Sequence, residues 1–185
     1  MNSRSRDAAP ASPGGVVLYA AVSLDGYLAE PDDGLAFLDD IAEAGQTYED
    51  FYAGIDALVM GRRTYDVARS VPEWPYPGLP CVVVTSRQLS AMPDMVMTDD
   101  GSDLVGLIEQ LRSHGRVWLV GGGVLTRELL AADLVDELDL TVTPHVLGGG
   151  VALWGPGSGR HRLVLEQVTE PGAGTVRLRY RRPVA

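Results

Sequence analysis

The stretch Trp118-Leu-Val-Gly-Gly-Gly-Val-Leu-Thr-Arg-Glu-Leu-Leu, residues 118–130, sets the tightest limit on what this chain can fold into. The apolar run 117–120 predicts a buried strand. Three glycines follow, and Leu125, Leu129 and Leu130 then keep helical spacing. A backbone without Cβ atoms lets a ligand come close, and the first N–H groups of a helix have no partners of their own, so such a turn suits a phosphate. A tight turn with no ligand uses the same glycines, and the motif alone does not choose between the two.

The rest of the chain repeats the pattern. The run 16–22, Val-Val-Leu-Tyr-Ala-Ala-Val, predicts a strand buried on both faces. Ser23-Leu-Asp-Gly26 turns the chain, 27–29 resumes the strand and 31–34 is a loop. Asp25 before Gly26 reads most simply as a turn residue, with a catalytic role as the alternative. Residues 35–53 read as helical, broken at Gly45, and carry Glu49 and Asp50. The run 56–60 predicts a strand leading into Gly61-Arg-Arg-Thr64, with Thr64 as the cap of a short helix to Ser70.

Four prolines make 71–80 irregular. The strand 81–85 ends in Ser86-Arg87, 95–98 is a short strand, and Ser102 is placed to cap a helix to His114, ended by Gly115. His114 in that last turn suits the helix dipole and needs no functional role. Residues 138–143 predict a strand. Residues 163–169 and 175–182 predict an antiparallel terminal pair joined through Pro171-Gly-Ala-Gly174, with Val176, Leu178 and Tyr180 alternating with arginines.

Together these elements give one α/β domain: a mostly parallel central sheet of about eight strands with helices on both faces, occupying 16–185 behind a disordered tail, 1–15. A length of 185 residues, 45% hydrophobic and 22% charged, suits one globular domain. The net charge of −10 argues against nucleic acid or anionic membrane as the main partner. All the basic residues are arginine, which excludes lysine nucleophiles, Schiff bases and the P-loop. One cysteine, Cys81, and three histidines without ligand spacing predict no metal site. No run reaches membrane-span length, so a cytoplasmic enzyme is the expectation.

Three polar or cationic turns, 61–64, 85–87 and 121–126, follow strands. Ligands of open α/β sheets bind beyond the carboxyl ends of the strands. The three turns together point to an elongated ligand with several phosphates, such as a dinucleotide. No Gly-x-Gly-x-x-Gly opens the first βα turn, so the pattern is not the Rossmann fingerprint.

In order, Ala20-Ala-Val-Ser-Leu-Asp-Gly26, Met60-Gly-Arg-Arg-Thr-Tyr65, Val83-Val-Thr-Ser-Arg87, Val120-Gly-Gly-Gly123 and Leu138-Asp-Leu-Thr-Val-Thr-Pro144 resemble the dihydrofolate reductase-like superfamily. The Ser-Leu-Asp-Gly start and the Thr143-Pro-His-Val-Leu-Gly-Gly-Gly150 loop are closer to its branch related to the C-terminal reductase domain of riboflavin biosynthesis. The resemblance covers about 15–182. It implies a homodimeric, NADPH-dependent reductase of a small pterin- or pyrimidine-type substrate.

By that match Arg62 and Arg63 hold adenosine-side phosphates and Thr64, beside Gly61, the pyrophosphate. Thr85, Ser86 and Arg87 form the turn beside the adenine ribose, suited to a 2′-phosphate. Val120, Gly121, Gly122, Gly123, Val124, Leu125 and Thr126 form the glycine turn and helix start on the pyrophosphate, often with a cis Gly-Gly bond in this family. The backbones of Ala21 and Leu28 match the positions that hold the nicotinamide carboxamide. On the substrate side Thr141 matches a threonine behind the pterin, and Glu49 or Asp50 is the candidate acid. Arg160 and Arg162 are the candidates for a substrate phosphate.

The alternatives are a dihydrofolate reductase and a non-catalytic nucleotide-binding protein. An inward carboxylate at 49 or 50 favours folate. A cationic patch opposite the nicotinamide favours a sugar phosphate. A cavity filled by Phe37, Tyr48 or Tyr52 favours the binding protein.

Overall fold

A computed structural model describes residues 14–39, 45–90, 92–157 and 159–183. The expected tail therefore lies almost wholly outside the described residues. Eight strands form one sheet. In chain order they are β1 (Val16–Val22), β3 (Ala57–Gly61), β4 (Cys81–Val84), β5 (Val96–Asp99), β6 (Val117–Gly121), β7 (Glu137–Val142), β9 (Val164–Gly172) and β10 (Thr175–Arg181). Their spatial order is β5-β4-β3-β6-β1-β7-β10-β9. All pairings from β5 to β7 are parallel, and β10 joins antiparallel to β7 and β9. The expected mixed sheet with a terminal hairpin is the one that forms.

The apolar run of β1 sits mid-sheet between β6 and β7, which is why it carries no polar alternation. Four helices cover the two faces: α1 (Gly45–Tyr52), α2 (Arg62–Ser70), α3 (Leu104–Ser113) and α4 (Gly123–Ala131). Ile108 of α3 and Leu125, Leu129 and Leu130 of α4 pack on Val16, Leu18 and Leu119. Phe51 of α1 and Tyr65 of α2 pack on Val17, Leu58 and Trp118 from the other face.

Several boundaries differ from expectation, each for a local reason. The α2 helix begins at Arg62 with Gly61 as its N-cap, so Thr64 lies inside the first turn rather than capping it. The cap of α3 is Asp103, whose carboxylate accepts from the Gly106 N–H at 2.9 Å, instead of Ser102. Of the stretch 35–53 expected to be helical, 35–39 makes only a short 3₁₀ turn, 40–44 lie outside the described residues, and α1 runs Gly45–Tyr52. The terminal hairpin turns on Ala173 and Gly174 alone (φ 52° and 72°), and Pro171 is tolerated because β9 is an edge strand. A small second sheet, β2 (Tyr27–Ala29) with β8 (Val151–Ala152), was not expected. Two residues give no periodicity to read.

One polar feature interrupts the core. The Asp139 side chain on β7 is 4% exposed, and Arg177 on β10 grips both its oxygens at 2.6 and 2.7 Å. That grip holds the guanidinium above its ordinary pKa. Arg177 also lies over the Tyr19 ring at 5.5 Å. We predict that Asp139→Ala, which strands a largely buried cation, lowers unfolding free energy by ~3–5 kcal/mol in a urea titration. A loss below about 1 kcal/mol would show the pair to be unimportant to the sheet.

Candidate active site

The neighbouring parallel strands β3 and β6 send their following helices to opposite faces of the sheet, α2 to one and α4 to the other. The crevice between them is the topological switch point at which open α/β sheets bind ligands. Both helices begin at once beyond the strands, with Gly61 and Gly122 as N-caps, and neither cap makes a side-chain hydrogen bond. Two sets of helix N-terminal N–H groups therefore face one cavity of about 480 Å³. Gly61 to Thr64 line one side, Gly122 to Leu125 the other, and 150–152 the mouth.

The approach is close. A Cβ on Gly122 would stand 3.2 Å from Thr64 Oγ1, and one on Gly123 would run into the Ala152 carbonyl. The chain turns here through φ 132° at Gly121 and 95° at Gly122, conformations glycine adopts without strain. The expected cis Gly-Gly bond is not found, since every peptide bond among the described residues is trans and the two glycine dihedrals supply the turn.

Carboxylates orient the arginines of the crevice. Arg62 Nε lies 2.8 Å from both Asp66 oxygens, and its Nη1 reaches the Gln88 carbonyl at 3.5 Å, so it bridges α2 to the 85–88 turn. Arg63 Nε donates to Asp33 Oδ1 at 2.6 Å. Ser86 and Arg87 are exposed and line neither side of the crevice, and the Arg87 N–H donates to Thr85 Oγ1 at 3.1 Å. Thr126 is fully buried, its Oγ1 has no hydrogen-bond partner, and it does not line the crevice.

A second cavity of about 400 Å³ adjoins the first and shares Arg63, Thr64, Gly122 and Val151 with it, so the two form one cleft. Its walls are aromatic and aliphatic: Tyr19, Tyr76 and Trp118, with Ala21, Leu28 and Val120. Trp118 meets Tyr76 edge-on at 5.3 Å, and its Nε1 donates to the Tyr19 carbonyl at 2.9 Å. Tyr19 stacks on Phe51 at 3.9 Å. Burial pushes the Tyr76 hydroxyl well above its ordinary value and the Tyr48 hydroxyl up to about 12, so both stay protonated at neutral pH.

Of the cofactor-side residues expected from sequence, Gly61 to Thr64 and Gly122 to Leu125 line the first cavity and Ala21, Leu28 and Val120 the second, whereas Gly121, Thr126 and the 85–87 turn line neither. The expected catalytic group lies outside both. Tyr48, Phe51 and Tyr52 turn the apolar stripe of α1 onto Trp118, which leaves Glu49 and Asp50 exposed on the solvent side and away from both cavities. Thr141 pairs with Ala21 across β1 and β7 but lines neither cavity. Arg160 and Arg162 line a separate cavity with Val135 and Arg182, beside the amino end of β7 and so at the opposite end of the sheet. Phe37, Tyr48 and Tyr52 pack elsewhere and do not fill the cleft.

Sequence reasoning missed what joins two of the motifs. Asp25 accepts from the N–H groups of Leu147 and Gly148 at 3.1 and 2.8 Å and from Ser23 Oγ at 2.7 Å. The Leu24 N–H also donates to the His145 carbonyl at 2.7 Å. The Ser-Leu-Asp-Gly turn therefore fastens the 144–150 loop whose end closes the crevice. The only signal was an acid beside a glycine, opposite a glycine-rich loop of open N–H groups.

Among the described residues no His, Cys, Asp and Glu cluster could hold a metal, and no helix is long and apolar enough to cross a membrane.

A sequence profile of the RibD C-terminal domain matches residues 15–177. The uncharacterized protein YwjB of Bacillus subtilis (strain 168) is 33% identical over 141 residues, covering 75% of this chain and 81% of that protein. A crystal structure of a protein assigned to riboflavin biosynthesis, from Shewanella sp. PV-4, superposes with a TM-score of 0.73 at 25% identity, covering 92% of this chain and 99% of the other. Dihydrofolate reductase from Enterococcus faecalis, complexed with NADP(H), shares the fold with a TM-score of 0.56 at 19% identity, covering 92% and 97%.

The Ser23 hydroxyl, then the two loop N–H groups, hold the Asp25 carboxyl below its ordinary value of 3.8. Its folded pKa lies below the unfolded one, so the clamp is complete above that range and is lost as pH falls through the folded value. We predict that the amide protons of Leu147 and Gly148 titrate together by NMR at a pKa below 3.8, and that Asp25→Asn removes the titration. A midpoint at or above 3.8 would contradict the clamp.

Proposed function

This chain belongs to the RibD C-terminal domain family, and from that premise we propose that it is an NADPH-dependent reductase. One observation carries the proposal: two uncapped helix N-termini and two arginines converge on a crevice that opens into an aromatic-walled cavity. An extended ligand with a pyrophosphate in its middle and a flat ring at one end matches that shape. The close approach at Gly122, which any Cβ would fill, supports the fit.

In this reading Gly122, Gly123, Val124 and Leu125 present backbone N–H groups to the pyrophosphate from α4, and Arg63 and Thr64 meet it from α2. Arg62, turned toward Gln88, stands with Ser86 and Arg87 at the adenosine end and selects a 2′-phosphate. Ala21 and Leu28 hold the carboxamide of the ring, and Val120 backs it. The bound cofactor supplies the hydride, and the protein orients it against an acceptor in the second cavity.

The acceptor is a small heterocycle or its ribosyl group. Because Glu49 and Asp50 face solvent, the accompanying proton comes from water entering the open cleft rather than from a carboxylate of the α1 helix. That geometry weakens the dihydrofolate reductase alternative, and the open second cavity weakens the non-catalytic one. The proposal includes a homodimer, for which the exposed Leu165 and Val168 on edge strand β9 offer a surface.

Titration calorimetry on the purified chain tests the cofactor. NADPH binds more tightly than NADH. Arg62→Ala and Arg87→Ala each weaken NADPH ~tenfold, the low end for a charged hydrogen bond at an exposed site, and leave NADH unchanged. Arg63→Ala weakens both dinucleotides alike, since it acts on the shared pyrophosphate. Binding of neither dinucleotide would reduce the reading to a likeness of fold.

A further inference from the structure

We infer that the ring-accepting end of the cleft takes a planar acceptor without an anionic group, and that it rejects phosphorylated substrates. The inference rests on the reductase reading and narrows its substrate. The relevant feature is charge.

Among the described arginines only Arg63 lines the second cavity, and the chain contains no lysine. The Arg63 guanidinium is held by Asp33, itself on the same wall. When the cofactor's pyrophosphate takes Arg63, Asp33 becomes an unpaired carboxylate facing the cavity. The wall is therefore neutral before the cofactor binds and negative after it.

The next cation, Arg177, lies behind Tyr19 and is committed to both oxygens of Asp139. The cationic residues Arg160, Arg162 and Arg182 line a cavity beside the opposite end of the sheet. With Arg63 engaged by the cofactor, a phosphate or glutamyl carboxylate brought here would lose its hydration with no other cation among the described lining residues to replace it.

The remaining walls favour a flat ring. Tyr19, Tyr76 and Trp118 present aromatic surface, and Leu28, Val67 and Val71 add aliphatic surface. The cavity of about 400 Å³ is shared between the cofactor's ring, on Ala21, Leu28 and Val120, and a small planar acceptor beside it.

Two readouts on the full-length protein test this. The first is quenching of tryptophan fluorescence with and without saturating NADP+, using a ribosylaminopyrimidine and its 5′-phosphate as a matched pair, with Trp118→Phe to identify the reporting ring; the preference is read with NADP+ bound, when Arg63 is engaged. The second is NADPH oxidation with a dihydropterin lacking the glutamate tail against dihydrofolate.

The unphosphorylated member binds at least tenfold more tightly, and the tail-free pterin has the higher kcat/KM. Asp33→Asn narrows the gap within the matched pair several-fold, because it frees Arg63 and removes the carboxylate. Equal or tighter binding of the phosphate ester overturns the inference, as does binding of neither member. Failure of NADPH to bind, with the unphosphorylated ring still quenching Trp118, would remove the cofactor reading and leave the cavity's selectivity standing. NADPH binding with preference for the phosphate ester would do the reverse.

Discussion

The architecture of the cleft follows from one adjacency. The β3 and β6 strands are parallel neighbours although far apart in sequence, and their helices leave for opposite faces. If both helices left on one face, they would pack against each other and close the gap. Because they diverge, two helix N-termini open toward the same space, and their free N–H groups add rather than compete. Fully buried side chains, Val59 on β3 and Leu119 on β6, lock the register beneath the two turns. Glycine suits Gly122 because its φ is 95° and a Cβ there would stand 3.2 Å from Thr64 Oγ1.

A second constraint fixes the mouth. The loop 144–150 has little apolar side chain to pack, and Asp25 replaces packing with hydrogen bonds to its backbone. The β2–β8 pair continues that attachment on the other side of Gly150. An exposed carboxylate thus takes a structural part that burial performs elsewhere in the fold, which accounts for two motifs that composition alone could not connect.

The sheet was legible because its signals are local. Apolar runs such as 16–22 and 117–120 are long enough to be read as strands, and glycines mark the turns. The turns proposed to hold a cofactor were legible for the same reason, since backbone turns after strands are written in consecutive residues. The substrate side depends on helix phase. Glu49 and Asp50 lie within three residues of Tyr48, Phe51 and Tyr52, and only the packing of those rings on Tyr19 and Trp118 decides which side of α1 faces inward. Arg160 and Arg162 illustrate a different limit. Their charge suited a phosphate, but the end of the sheet at which they lie is set by strand order, which no single stretch of sequence contains. The choice of Asp103 over Ser102 as a cap is a one-residue ambiguity of the usual kind.

The acidity of the chain bears on the cleft in a way that net charge conceals. Each crevice arginine is already paired, Arg62 with Asp66 at 2.8 Å, Arg63 with Asp33 at 2.6 Å and Arg127 with Glu128 at 3.9 Å. Arg63 and Asp66 are more than half exposed, and ion pairs in such settings contribute only ~0–1 kcal/mol. Such pairs are strong enough to hold a guanidinium pointed at the crevice and weak enough to be exchanged for a phosphate, which brings more charge and is met by two helix N-termini besides. The exchange has an asymmetric result. Asp66 sits on the outer side of α2, so the carboxylate released there returns to solvent, whereas Asp33 stands on the wall of the second cavity. On the proposed reading, an anion in the crevice would change the charge of the adjoining cavity through the Arg63–Asp33 pair alone, with no backbone movement required.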